Sequence, residues 1–325
     1  MPREVANYTA SMKKRRLGNT GIKVSEIGFG GWAIGGSTYG NSYGPTDDDV
    51  SRAAVLTALE NGVTLFDTAD VYGHGHSEAL LGEVIKDWSG AKPTVVTKGG
   101  INFYRPDGTL EPDWTPFAIA HAVQQSLVRL RREALDIFLL MSPNVEELER
   151  FRTWESLLAL QRSGKIVHFG VSIVEPDDGI WLIKNQAPIA VLEVAFSLFF
   201  QSATLELFDL AKRNNIGIIA REPLANGFLT GKYKRGHVFH PEDMRASLPG
   251  EYATAMQDAV EDLRFLEQGR TLAQASIRYV LDEPRIHCTI PGARTPEQVI
   301  ENVAAAAMPA LTTAERDQIT GVFYE

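Results

Sequence analysis

Asp67, Tyr72 and Lys98 are the residues of this chain whose types and spacing could do chemistry together. Asp67 follows the β-branched run Val63-Thr64-Leu65, so it should stand where a strand ends. Tyr72 lies five residues further on, in the loop of Phe66-Asp67-Thr68-Ala69-Asp70-Val71-Tyr72-Gly73. Lys98 closes the next apolar run, Thr94-Val95-Val96-Thr97. An aspartate and a lysine at the ends of neighbouring strands, with a phenol in the intervening loop, make a proton-donating set. The ammonium should favour the phenolate and lower the tyrosine pKa from its reference of about 10, and the carboxylate should keep the ammonium charged and oriented. A phenol tuned in this way can give a proton to a carbonyl oxygen as a hydride reaches the carbon. A structural salt bridge is the competing reading of the same three residues.

Positioning these groups requires strands that end on one rim. Apolar runs at 62–66, 94–97, 136–140, 168–171, 191–194, 217–220 and 288–290 alternate with helix-like segments at 47–61, 77–87, 114–132, 145–163, 203–214, 272–281 and 296–305. Ser77, followed by Glu78, reads as the N-cap of the second of these helices. With a Gly-rich strand at 26–30 there are eight strand units, and continuous apolar strands joined by crossover segments mean a parallel sheet covered on both faces. The expectation is an α/β fold, a (β/α)8 TIM barrel in one domain over 1–325. An N-terminal β-hairpin turns at Gly18-Asn19-Thr20-Gly21, an extra C-terminal helix covers 312–324, and 1–12 is a loose tail. A doubly wound sheet is the rival, but Gly28, Gly30, Gly31, Gly35 and Gly36 do not give the G-x-G-x-x-G fingerprint such a fold wants after its first strand. In a barrel, Asp67, Lys98, Met141, Ser172, Glu193, Arg221 and Pro291-Gly292 all fall at one mouth, where barrel sites are built. The long loops 101–113 and 232–248 should rise from the same face, the second of them polar and mobile.

Two segments read as anion cradles. Arg221-Glu222-Pro223-Leu224-Ala225-Asn226-Gly227-Phe228-Leu229-Thr230-Gly231-Lys232 is a loop whose backbone N–H groups suit phosphate oxygens. Pro291-Gly292-Ala293-Arg294-Thr295-Pro296 leads into a capped helix, whose N-terminus favours an anion, and Arg294 adds a guanidinium fork. The chain carries a net charge of −9, which argues against nucleic acid or an anionic membrane as partner. Its one cysteine, Cys288, sits in an apolar run and reads as a buried small hydrophobe. His74 and His76 lack a third ligand at metal spacing, so no metal is expected, and they read as loop residues at the substrate mouth. No secretory signal and no membrane span is visible, and the default location is cytoplasmic.

The pieces together resemble the aldo-keto reductases along nearly the whole length. They are Gly-Asn-Thr-Gly-Ile-Lys-Val-Ser at 18–25, Phe-Asp-Thr-Ala with Val-Tyr-Gly at 66–73, Thr-Lys-Gly at 97–99, Gly-Val-Ser at 170–172, Leu-Thr-Gly-Lys-Tyr at 229–233, and Ile-Pro-Gly-Ala-Arg-Thr-Pro-Glu-Gln at 290–298 with Glu-Asn at 301–302. The resemblance implies a barrel that binds NADP(H), with NAD(H) as the other possibility, across its mouth and delivers hydride to a carbonyl of a small organic molecule. By position, Tyr72 is the acid, with Lys98 and Asp67. Trp32 lies near the nicotinamide end. Ser172 and Glu193 match positions that touch the carboxamide, and Arg221 the place of an aromatic stacked on the nicotinamide. Pro223, Leu224, Gly227, Leu229 and Lys232 belong to the pyrophosphate loop. Pro291, Gly292, Arg294, Gln298, Glu301 and Asn302 match the adenosine end.

The chain departs from the resemblance at the fourth catalytic position, where Leu139-Leu140-Met141-Ser142-Pro143 has methionine for the usual histidine. A thioether cannot donate to a carbonyl oxygen. Losing one donor at such a site typically costs about 10²–10³ in rate. Three readings follow: reduction of an iminium or conjugated enone that needs less polarisation, room for a bulky substrate with Ser142 or the Trp32 indole as donor, or Met141 as plain core. Ile173 and Glu193 likewise replace the usual Asn and Gln. The alternative function is a barrel that keeps the cofactor but little turnover, serving as a redox-sensing or regulatory protein. The residues leave substrate and oligomeric state open.

Overall fold

A computed structural model describes residues 12–39, 42–105 and 109–324. In chain order the strands and helices are β1 (Lys14–Arg16), β2 (Lys23–Ser25), β3 (Phe29–Gly30), α1 (Asp48–Glu60), β4 (Leu65–Asp67), α2 (His76–Asp87), β5 (Thr94–Gly99), β6 (Ile101–Asn102), β7 (Glu111–Pro112), α3 (Pro116–Arg129) and β8 (Leu135–Met141). There follow α4 (Val145–Arg150), α5 (Thr153–Arg162), β9 (Ile166–Ser172), α6 (Pro176–Lys184), β10 (Val191–Ala195), α7 (Leu207–Arg213), β11 (Gly217–Arg221), α8 (Gly250–Asp262), α9 (Leu272–Leu281), β12 (Cys288–Thr289), α10 (Pro296–Ala304) and α11 (Thr313–Tyr324). Of the tail expected over 1–12, only Met12 is described, and it is buried.

Among the described residues one sheet holds eight strands in the order β3-β4-β5-β8-β9-β10-β11-β12, and every neighbouring pair is parallel. Its two edges meet: Ile27 bridges Thr289 and Gly30 bridges Gly292. The Gly28 N–H donates to Thr289 O at 2.7 Å and the Gly30 N–H to Pro291 O at 3.1 Å. The sheet is therefore the expected (β/α)8 barrel. No helix among the described residues is long and apolar enough to cross a membrane.

The period of two along a strand decides what the barrel holds. Leu65, Val96, Ile137, Leu139, Val191, Ile219 and Cys288 point inward and form one apolar cluster. Leu17 and Val24 of the β1–β2 hairpin join it, so the hairpin plugs the barrel floor. One inward step beyond Leu65, Val96, Leu139, Val191 and Ile219 come Asp67, Lys98, Met141, Glu193 and Arg221. The same alternation that packs the interior thus raises the functional side chains to the mouth. Gly170, inward of Ser172, has no room for a side chain: a Cβ there would lie 1.9 Å from Val191 O.

Several sequence expectations are corrected. The N-cap of α2 is Gly75 in a left-handed conformation (φ 92°), not Ser77. Ser77 is buried, donating to Gly31 O and accepting from Thr68 Oγ1, both at 2.9 Å, and so ties α2 to the mouth. The helix expected over 145–163 is two helices, parted at Arg152 with φ 55°. Two helices were not anticipated. In α6 the glycine among the acids, Gly179, packs on Leu207 and Ile173 and hides the apolar face. In α8 only Gln257 and Val260 are buried, so there is little periodicity to read. In the 232–248 segment Phe239, Asp243 and Arg245 are buried, while most of its other residues are exposed.

Candidate active site

Lys98 is 1% exposed, and an ammonium so deep requires carboxylates around it. Its Nζ donates to Oδ1 and Oδ2 of Asp67 at 2.6 Å each, to Thr68 O at 3.1 Å and to the Tyr72 hydroxyl at 3.4 Å. A second carboxylate stands across from Asp67, with Glu193 Oε2 at 3.4 Å from Nζ. Ser172 Oγ donates to Glu193 Oε1 at 3.0 Å. The structure therefore brings together Asp67, Tyr72, Lys98, Ser172 and Glu193 from four barrel elements and one loop.

The proton balance differs from the sequence expectation. Enclosure of its hydroxyl pushes the Tyr72 pKa above the ordinary phenol value. Lys98 opposes that shift, and the negative charges of Asp67 and Glu193 add to it. Burial thus outweighs the ammonium, and the phenol stays protonated across the neutral range. Burial also raises the Asp67 carboxyl well above its usual range, with Glu193 adding to the rise and Lys98 working against it. Lys98 itself is raised, because the attraction of Asp67 and Glu193 exceeds the cost of its burial.

Trp32 lies in a short 3-10 helix, Gly31–Ile34, with its ring edge-on to Tyr72 at 4.8 Å between centroids. Its Nε1 is buried and without a hydrogen-bond partner, as is Glu193 Oε2. Met141 is half-buried and packs with Tyr72 and Ile101 against Ala69, Val71 and Phe103. His74 stacks between Tyr39 (4.4 Å) and Phe103 (4.7 Å), while His76 Nε2 pairs with Asp48 at 2.9 Å. Among the described residues no three His, Cys, Asp or Glu side chains are grouped to hold a metal.

The left-handed backbone at Asn226 (φ 53°) and Gly227 (φ 86°) makes the turn of the 221–232 loop. The N–H groups of Ala225, Gly227 and Leu229, expected to be available, are instead donated to Glu222 O and, for the latter two, to Leu224 O. Leu229 is fully buried in an apolar cluster, and Pro223 is buried. Lys232 is exposed, its ammonium 4.9 Å from the Tyr233 ring centroid. Arg221 turns to Glu222 and to Ile173 O rather than lying flat over the mouth. At the α10 end, Gln298 Oε1 accepts from the Arg294 N–H at 2.7 Å and Asn302 Nδ2 donates to Gly292 O at 3.2 Å. Glu301 is occupied by Thr271 Oγ1 at 2.8 Å. A Cβ at Gly292 would meet nothing nearer than 3.8 Å, and the Arg294 guanidinium donates to Tyr43 O beside it. An open glycine, a capped helix N-terminus and two unpartnered polar atoms at the mouth fit an extended dinucleotide.

Two groupings escaped the sequence reading. Arg245 donates to Asp243 (2.6 Å) and to Asn226 O (2.7 Å), and its guanidinium carbon lies 4.5–4.8 Å from the ring centroids of Tyr43, Phe239 and Tyr233. It clamps the two loops that flank the cradle, and residues about 200 positions apart carry no local signal of it. Behind β5, on the helix side of the sheet, Glu78 is fully buried, holding Arg129 Nε (2.6 Å) and Thr97 Oγ1 (2.6 Å), and its charge adds to the rise that burial gives the Asp70 carboxyl. Glu78 in a helix first turn looks like an ordinary solvated acid in sequence.

Residues 26–323 match the sequence profile of the Aldo/keto reductase family. The aldo-keto reductase YhdN of Bacillus subtilis (strain 168) is 30% identical over 302 residues, which span 89% of this chain and 87% of that protein. The NADH-specific methylglyoxal reductase of Escherichia coli (strain K12) is 30% identical over 312 residues, 90% and 93% of the two chains. The solved structure of the glycerol dehydrogenase AKR11B4 from Gluconobacter oxydans superposes with a TM-score of 0.80 at 28% identity, covering 96% of this chain and 95% of that one.

Proposed function

The chain belongs to the aldo/keto reductase family, and from that premise we propose that it is an NADP(H)-dependent oxidoreductase acting on a carbonyl, or on a double bond conjugated to one, of a small organic molecule. The observation that carries the reading is Lys98, held by Asp67 at 2.6 Å and reaching the Tyr72 hydroxyl at 3.4 Å at the barrel mouth. The nicotinamide cofactor of the family supplies the hydride. Tyr72, kept protonated by burial, gives its proton to the substrate oxygen. Lys98 then stands ready to stabilise the phenolate left behind. Ser172 and Glu193 flank the place for the nicotinamide amide, and Arg294 with the α10 N-terminus the place for phosphate. Trp32 Nε1, unpartnered and edge-on to Tyr72, is the donor that stands in for the missing histidine, and Met141 widens an apolar mouth.

The test is a titration of the purified protein with NADPH and with NADH, followed by quenching of tryptophan fluorescence, to which Trp32 at the mouth contributes. Saturable quenching by NADPH at lower concentration than NADH supports both the site and the role of Arg294. Equal affinities refute the discrimination by Arg294, and binding of neither nucleotide refutes the function.

A further inference from the structure

Three ionisable groups share the floor of the mouth, and their charges do not balance. Lys98, Asp67 and Glu193 are each 1–2% exposed. One ammonium faces two carboxyls, at 2.6 Å and 3.4 Å from Nζ. Both ionised, they leave one uncompensated negative charge where burying a charge is most costly. Glu193 Oε2 has no hydrogen-bond partner, although its other oxygen accepts from Ser172. The two carboxyls meet at one ammonium, and the negative charge of Glu193 adds to the rise that burial gives the Asp67 carboxyl. The groups facing Glu193 are Ser172 from β9, Lys98 from β5, Asp67 from β4 and Tyr72 from the loop after it. Arg221, on the flanking β11, is turned to Glu222 and Ile173 O and supplies no counter-charge.

We infer that Glu193 is a second positioning residue for Lys98. It and Asp67 hold one proton between them, and either carboxylate alone keeps the ammonium charged and aimed at Tyr72. The proton makes the cluster neutral, as in other close carboxyl pairs that cannot both ionise. The catalytic meaning rests on the oxidoreductase reading above, but the charge balance does not, and the test separates the two.

Thermal midpoints are measured at one scan rate, at pH 6 and pH 9, for the wild type, Asp67→Asn, Glu193→Gln and the double variant. At pH 6 each single variant should stay within a few degrees of the wild type, since one carboxylate remains. The double variant, with Lys98 unpaired, should lose roughly 5–15 °C beyond the sum of the singles. A buried acid that keeps its proton in the folded state costs stability as pH rises above the unfolded carboxylate range. The wild type should therefore lose more between pH 6 and pH 9 than either single variant. Where turnover is present, Glu193→Gln should shift the pH profile of kcat/KM by about one unit or more, a change that a merely structural side chain would not cause. The inference is overturned if Asp67→Asn alone falls as far as the double variant, or fails to fold while Glu193→Gln matches the wild type at both pH values. It is overturned equally if the losses simply add. None of the stability outcomes requires turnover, so a protein that consumes no NADPH would sink the proposed activity and leave this inference to stand or fall by itself.

Discussion

Replacing Lys98 by Met removes what is, among the described residues, the only cation within 4 Å of Asp67 and Glu193 and keeps the volume of the stem. Removing one partner of a buried ion pair costs about 3–5 kcal/mol, but here the cost should depend on pH. The Asp67 carboxyl is already raised by burial, and Lys98 is what holds it down. Without Lys98 the carboxyl pair has no counter-charge and takes a second proton, so the folded variant keeps one proton more than the wild type at pH values where the unfolded chain releases both. Stability then falls with pH by about 1.4 kcal/mol per unit for each proton retained. Between pH 5.5 and pH 8.5 that is about 4 kcal/mol, of the same size as the cost of breaking the pair. Urea unfolding at the two pH values should show a small deficit relative to wild type at pH 5.5 and a deficit of about 4 kcal/mol more at pH 8.5. An equal deficit at both values, or a larger one in acid, would refute the claim that Lys98 compensates buried carboxyls.

Three further outcomes follow from the geometry. Met141→His adds a second donor at the mouth and should leave kcat for a simple aldehyde nearly unchanged, because the Trp32 indole already polarises the oxygen; a rise of about 10²-fold, the gain from restoring a missing donor, would refute that role of Trp32. Gly170→Ala puts a Cβ 1.9 Å from Val191 O, between β9 and β10. It should cost at least about 3 kcal/mol in a denaturant titration, the upper end for overpacking, because backbone must move. Arg245→Ala releases the clamp on Tyr43, Tyr233 and Phe239, so the 232–248 segment should become the first site of limited proteolysis, with no such change for Arg235→Ala, which is exposed.

The barrel was legible because its strands repeat one instruction. A run such as Val95-Val96-Thr97-Lys98 places apolar residues on both faces and leads to a charge; the runs leading to Asp67, Glu193 and Arg221 do likewise, and the others repeat the apolar run at similar intervals without the charge. The hairpin and the capped helices α9 and α10 were legible for local reasons, Thr271 and Thr295 each accepting from the third residue on. Asp67, Tyr72 and Lys98 could be grouped since adjacent strands bring their ends together. What could not be read depends on distance and on burial. That Glu193 faces Asp67 across Lys98 requires the curvature of the closed sheet. The upward shift of Tyr72 requires knowing how little water reaches its hydroxyl, and residue types alone give only the opposing effect of Lys98. The Gly227 and Leu229 N–H groups looked free for phosphate because the loop's own hydrogen bonds to Leu224 O come from a left-handed turn at Asn226 that its residue type permits but does not dictate.

The most direct test of the account is NADPH consumption with a panel of aldehydes, ketones and enones, run side by side on the wild type and Tyr72→Phe. The wild type should oxidise NADPH with at least one carbonyl or enone. The variant should bind NADPH with unchanged affinity but turn over at least about 10²-fold more slowly. A Tyr72→Phe protein as active as the wild type would contradict the account, as would a wild type that binds NADPH and reduces nothing.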